Sequence, residues 1–184
     1  YGCNPHQKIA SILTEVGGEV PFIVLNGTLG YVNVLDAINS WKLVNEVKIA
    51  LNKPCAASFK HVSPAGVGLG SELRDNEKEF INATGKGKYS KICIAYMRAR
   101  ACDPKSSFGD FIAVNETVDT SLAKFIKGCV SDGIIAPSYT PDAIAMLRTK
   151  KNGGFLILEG KWNEKDLSKN ETVYRDFGNF VLSQ

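Results

Sequence analysis

Gly133-Ile134-Ile135-Ala136, then Thr140-Pro141-Asp142, then Phe155-Leu156-Ile157-Leu158 is the stretch that decides the fold. The two apolar runs are short and unbroken, as in strands buried on both faces. Between them Thr140 stands as a helix N-cap, Pro141 fills the first helical position and Asp142 places a negative charge in the first turn. Ala143, Met146 and Leu147 supply an apolar face, Arg148 to Lys151 suit the carboxyl end of the helix dipole, and Gly153 closes the helix.

The same alternation extends toward the amino end. Leu122 to Val130 reads as a helix, Phe108 to Val114 as a strand and Ile92 to Arg100 as a helix. Cys55 to Phe59 is small and apolar, as expected of a buried strand, and it runs into Lys60-His61-Val62-Ser63-Pro64-Ala65-Gly66, a strand end and loop. Val34, Ile38, Trp41, Val44, Val47 and Leu51 recur at helical spacing before Pro54, and Pro21 to Asn26 reads as a strand closed by Gly27. Glu72 to Tyr89 is a charged connection around a short helix. Trp162 to Asn170 is a surface segment, and Val173 to Leu182 regains apolar character without a closing element. Strands alternating with helices predict an α/β layered domain with a mostly parallel or mixed sheet.

Composition narrows the class of protein. At 184 residues, 44% hydrophobic and 22% charged, the chain can bury a sizeable core, which excludes intrinsic disorder. No apolar run approaches the roughly 18 residues of a membrane span, so no membrane partner is expected. The net charge of +3 suits an anionic small molecule as well as a nucleic acid, and charge alone does not decide between them. Five cysteines with no CxxC pair argue against a disulfide framework or a thiolate zinc site, and for reduced thiols in the cytoplasm. Arg98, Arg100, Lys86, Lys88 and Lys91 carry no aromatic interleaving and read as solvated surface, so nucleic acid is not expected either.

Lys60 and His61 are the residues best suited to chemistry. An imidazole can take a proton, and an adjacent ammonium can stabilise developing negative charge. Neighbouring strand residues point to opposite faces, so both serve one site only if the strand is already turning there. The other histidine, His6, reads as structural. Gly66-Val67-Gly68-Leu69-Gly70 resembles a phosphate-cradling loop but lacks a P-loop's GxxxxGK[ST], and a tight turn needing positive φ is the simpler reading. Gly109 and Asp132 sit at strand edges, where a ligand can approach backbone and carboxylate, and turn chemistry explains each of them equally well. The zinc deaminase signature HxE…PCxxC is absent, and no metal is expected.

Together these motifs resemble those of the AICAR transformylase/IMP cyclohydrolases, in their eukaryotic form. Tyr1-Gly2-Cys3-Asn4-Pro5-His6-Gln7 is similar to the opening of the formyltransferase part. Leu25-Asn26-Gly27, Asn33 and Asp36-Ala37 resemble its next block, and Phe59 to Gly66 its catalytic Lys-His segment. Arg98-Ala99-Arg100, Ser106 to Phe111 and Val130 to Pro137 complete the resemblance.

The resemblance implies formyl transfer from 10-formyltetrahydrofolate to the 5-amino group of AICAR in purine (IMP) biosynthesis. His61 would be the proton acceptor and Lys60 the transition-state stabiliser, while Tyr1, Gly109 and Asp132 would contact the AICAR nucleotide. It also implies a cytidine deaminase-like three-layer α/β/α sandwich without zinc. Residues 1–184 would be its first subdomain, in a homodimer whose second subdomain and cyclohydrolase domain lie outside this chain. The alternatives are a non-catalytic nucleotide-binding or assembly module of the same fold, and a metal hydrolase, which would need zinc.

Overall fold

Along the central strands alternate side chains part to opposite faces of a sheet, and each face has its own core. Ala56, Ile112, Val114, Ile134, Ala136 and Ile157 meet one set of helices. Cys55, Ala57, Phe59, Phe111, Ala113, Ile135, Leu156 and Leu158 meet another. The structure is a computed structural model, and it describes residues 2, 6, 9–14, 18–80, 89–161, 174–176 and 180–183.

In chain order the elements are β1 (Phe22–Asn26), α1 (Tyr31–Leu51), β2 (Cys55–Lys60), β3 (Ser63–Leu69), α2 (Asp75–Phe80), α3 (Lys91–Cys102), β4 (Asp110–Val114), α4 (Thr120–Lys127), β5 (Ser131–Ala136), α5 (Pro141–Arg148), β6 (Leu156–Gly160), β7 (Tyr174–Asp176) and β8 (Val181–Ser183). Six strands form one sheet in the order β1-β6-β5-β4-β2-β3, and β7 pairs with β8. β4, β5 and β6 are parallel, whereas β1 on β6, β2 on β4 and β3 on β2 are antiparallel. The sheet is therefore mixed, with α1 on one face and α3, α4 and α5 on the other. The predicted α/β class holds.

The α5 signals read from the sequence work as expected. Thr140 is the N-cap, its side chain accepts from the Ala143 amide, and Pro141 opens the helix. The helix stops at Arg148, short of Gly153, because Lys151 and Asn152 take left-handed backbone at φ 52° and 53° in the 3₁₀ turn that follows. In α1 the buried face is Asp36, Ala37, Ser40, Trp41, Val44 and Asn45. Three of these six are polar, so the predicted apolar stripe coincides with the buried one only at Trp41 and Val44, and Leu51 is exposed.

Two sequence readings are corrected here. Ser63 to Gly66 is not a loop but the start of β3. Gly66, Gly68 and Gly70 neither cradle a phosphate nor make a turn; positive φ among the described glycines is confined to Gly27, Gly109 and Gly153. Cβ atoms built on the three would lie 2.1 Å from the Ala99 carbonyl oxygen, 2.3 Å from that of Ala95 and 2.4 Å from that of Lys91. Two strand residues advance about 6.6 Å and four helix residues about 6 Å, so the glycines at every second position along and just after β3 meet every fourth residue of α3. The run is a bare strip against which α3 lies down. Gly68→Ala is expected to lower stability by about 3 kcal/mol, because the backbone it meets cannot step aside. A shift of the urea midpoint at unchanged m-value checks this.

The second correction concerns Arg98 and Arg100, which are not solvated; their side chains are only 15% and 16% exposed. Arg98 ties the Leu69 and Glu72 carbonyls to Glu77 of α2. Arg100 is taken up below. Lys86 and Lys88 lie outside the described residues, as does the segment Trp162 to Asn170.

Candidate active site

β2 and β3 are joined by a two-residue hairpin. Lys60 pairs with Ser63, and His61 and Val62 make the turn. Both turn residues have positive φ, 53° at His61 and 66° at Val62, as primed hairpin turns require. That conformation is costly for an L-residue and most of all for a β-branched one. The strand has thus begun to turn at His61, which is the condition under which Lys60 and His61 serve one site. Both line an open cleft of about 430 Å³ with Ser63, Pro64, Ala65, Asp103, Lys105 and Ser106.

Lys60 reaches across to the chain entering β4, where its Nζ donates to the Phe108 carbonyl. Gly109 follows with φ 77°, and a Cβ there would stand 3.2 Å from Lys60 Nζ. A side chain at this position would be strained by φ and would crowd the ammonium. Among the described residues Phe108 engages one of the three ammonium protons, which leaves two for a ligand.

Beneath this turn lies a buried polar network. Asp110 is fully buried and accepts from Ser58 Oγ at 2.6 Å, Tyr96 Oη at 3.0 Å and Arg100 Nη1 at 3.1 Å. Arg100 also donates to the Ser107 carbonyl at 2.7 Å, and Ser58 lies 2.9 Å from Ser107 Oγ. Burial pushes the Asp110 carboxyl above its usual range, against the hydrogen bond from Ser58 and the charge of Arg100. The network fixes residues 107–110, and hence the carbonyl that holds Lys60.

Asp132 is the second residue of β5, half-exposed, with Oδ1 2.5 Å from Lys151 Nζ. Lys151 was not singled out from the sequence beyond its place at a helix end. Asp36 of α1 completes the cluster: its buried carboxylate accepts from the Val62 amide at 2.6 Å and feels the charges of His61, Asp132 and Lys60. Burial raises its pKa, with the Val62 hydrogen bond and His61 opposing. The structure therefore brings Lys60, His61, Gly109 and Asp132 to one end of the sheet, where β2 leaves it and β4 and β5 enter it. Tyr1 lies outside the described residues.

Burial pushes the Cys55 thiol up to about 11 and that of Cys93 to about 12, so neither is a nucleophile near neutral pH. Among the described residues no three His, Cys, Asp or Glu side chains gather as metal ligands.

Comparison with known proteins bears on what this constellation is. The sequence profile described as AICARFT/IMPCHase bienzyme matches residues 1–184. The chain belongs to that family. Among its relatives, each named bifunctional purine biosynthesis protein PurH, that of Elusimicrobium minutum is 33% identical over 83% of the chain and 25% of its own length. The protein of Clostridium kluyveri is 35% identical over 83% of the chain and 26% of its own. For Ruminiclostridium cellulolyticum the figures are 36%, 89% and 28%. The chain thus spans about a quarter of the length of these curated relatives. In this AICARFT/IMPCHase member the Lys-His pair stands on a strained hairpin, with its lysine anchored across the sheet and its backbone anchored to α1.

Proposed function

We propose that this chain carries the Lys-His pair of an AICAR formyltransferase acting in purine biosynthesis, as the first subdomain of a larger polypeptide. The observation that carries the reading is the β2–β3 turn, which puts His61 and Lys60 in one cleft beside Gly109. Family membership over the whole chain supports it. The mixed sheet with helices on both faces is compatible with a cytidine deaminase-like sandwich. A homodimer in the cytosol, with AICAR and folate as ligands, belongs to the same reading.

The chemistry follows from the groups present. The exocyclic amine of AICAR is a weak nucleophile, since its lone pair is drawn into the imidazole ring. It attacks the formyl carbon of 10-formyltetrahydrofolate, a carbon–nitrogen bond forms, and the carbonyl π pair moves onto oxygen. Lys60 offers its two remaining N–H donors to that oxyanion. His61 takes the proton from the attacking nitrogen. When the tetrahedral adduct collapses, N10 of the folate leaves with its bonding pair and receives the proton from His61. The products are formyl-AICAR and tetrahydrofolate, with no net proton released. Gly109 and Asp132 hold the nucleotide in this reading, and Tyr1 completes its contacts.

The test is formyl transfer from 10-formyltetrahydrofolate to AICAR by the full-length protein, followed as tetrahydrofolate production. Turnover that needs both substrates is expected. AICAR binding without turnover would reject this reading in favour of a non-catalytic nucleotide-binding module.

A further inference from the structure

An aspartate inside a long helix needs a reason. Asp36 is a poor helix former, and its place on the buried face of α1 takes a carboxylate out of water. On that face Ala37, Trp41 and Val44 are apolar and belong to the core beneath the sheet, while Ser40 and Asn45 turn their polar groups to carbonyls of α1 itself. What the carboxylate does there is accept from the Val62 amide at 2.6 Å. Among the described residues with positive φ, Val62 is the β-branched one, at φ 66°, directly after His61 at φ 53°. Strained backbone of this kind persists only where the surroundings over-determine it.

Resting on the proposed formyl transfer, the geometry points to Asp36 as a positioning residue that holds the His61–Val62 turn in its left-handed form and so keeps Lys60 and His61 aimed into one cleft. The alternation of a strand would otherwise carry these two side chains to opposite faces. The turn converts adjacency in sequence into convergence in space, and the hydrogen bond from Val62 pins the turn to the rigid core helix. Asp36 acts through the backbone and does not itself touch the reacting atoms. The relevant chemistry is acceptance of an amide hydrogen bond, which an asparagine at the same place retains and an alanine loses.

The experiment compares Asp36→Ala and Asp36→Asn in the full-length protein by two readouts. In the first, Asp36→Ala is expected to lower kcat for formyl transfer by about 10²-fold, the size of effect that small misplacement of reacting groups produces. KM for AICAR should change by less than about twofold, and Asp36→Asn should restore kcat to within about fivefold of the parent. The second readout is amide hydrogen exchange over residues 60–63, which needs no activity. Val62 should be protected in the parent and in Asp36→Asn, and unprotected in Asp36→Ala.

A parent protein with no formyl transfer but with this exchange pattern would sink the proposed reaction and leave the anchoring of the turn standing. An unprotected Val62 in the parent, or protection that survives Asp36→Ala, would overturn the inference. So would a kcat for Asp36→Ala close to the parent's, or an equal loss in Asp36→Asn. If Asp36→Ala does not fold, Asp36→Asn still decides: a large loss of kcat with Val62 still protected overturns the proposal.

Discussion

His61→Ala in the full-length protein is expected to lower formyl-transfer turnover by about 10³-fold, within the range for loss of a positioned general base. The weak aryl amine cannot hold the proton it carries as the carbon–nitrogen bond forms, so the transition state needs an acceptor in contact with that nitrogen. His61 is exposed on the cleft wall, so the substitution leaves no cavity and stability should stay within about 0.5 kcal/mol of the parent. Lys60→Ala should cost about 10² to 10³-fold through the oxyanion. The double variant should be little worse than the poorer single one, because both act on one step. Steady-state kinetics with both substrates saturating measures these losses. Turnover within about tenfold of the parent in His61→Ala would remove histidine from the mechanism.

A large effect on stability is also expected at Arg100→Met. The methionine fills much of the same space but leaves Asp110 fully buried without its cation, a situation that typically costs about 3–5 kcal/mol. Ser58 and Tyr96 still donate to the carboxylate, so the lower end of that range, about 3 kcal/mol, is expected near neutral pH. The pH dependence has a definite sign. Burial already raises the Asp110 pKa above its unfolded value, and Arg100 opposes the rise. Without Arg100 the folded pKa moves further up, so the folded state binds the proton more tightly than the unfolded one. The penalty is then full above the variant's folded pKa and fades as pH falls through it to the parent's folded pKa, which itself lies above 3.8. Denaturant unfolding at pH 7 and near pH 4 should show a smaller difference from the parent at the lower pH. A constant difference would mean that the lost interactions are neutral ones.

Several features of the site were legible in the residues alone. Lys60 and His61 stood out because a titratable pair at the end of a small apolar strand has no packing role to explain it. Gly109 and Asp132 stood out as breaks at strand edges. Asp36 was visible only as one residue of a familiar block, because its partner amide is 26 residues away and its own helix looks amphipathic around it. A polar residue sitting between Val34 and Ile38 in an apolar stripe was the available signal. Lys151, which meets Asp132, lies in a left-handed turn that no local pattern announced.

The misread segments share a physical cause. Glycine at every second position is compatible with a turn, a phosphate loop or a strand that must be bare, and only the arrival of α3 chooses among them. Arg98 and Arg100 look like surface charge because their partners, Glu77, Ser107 and Asp110, come from other elements. By itself the sequence determined most of the alternation of strands and helices and the α/β class, and it marked Lys60 and His61 as the candidate pair. These rest on periodicity, caps and turn residues, which act over one or two helical turns of chain. Tertiary structure alone decided which polar residues are buried, which glycines are crowded and which way adjacent side chains face. Those depend on contacts between segments tens of residues apart, for which local pattern carries no information.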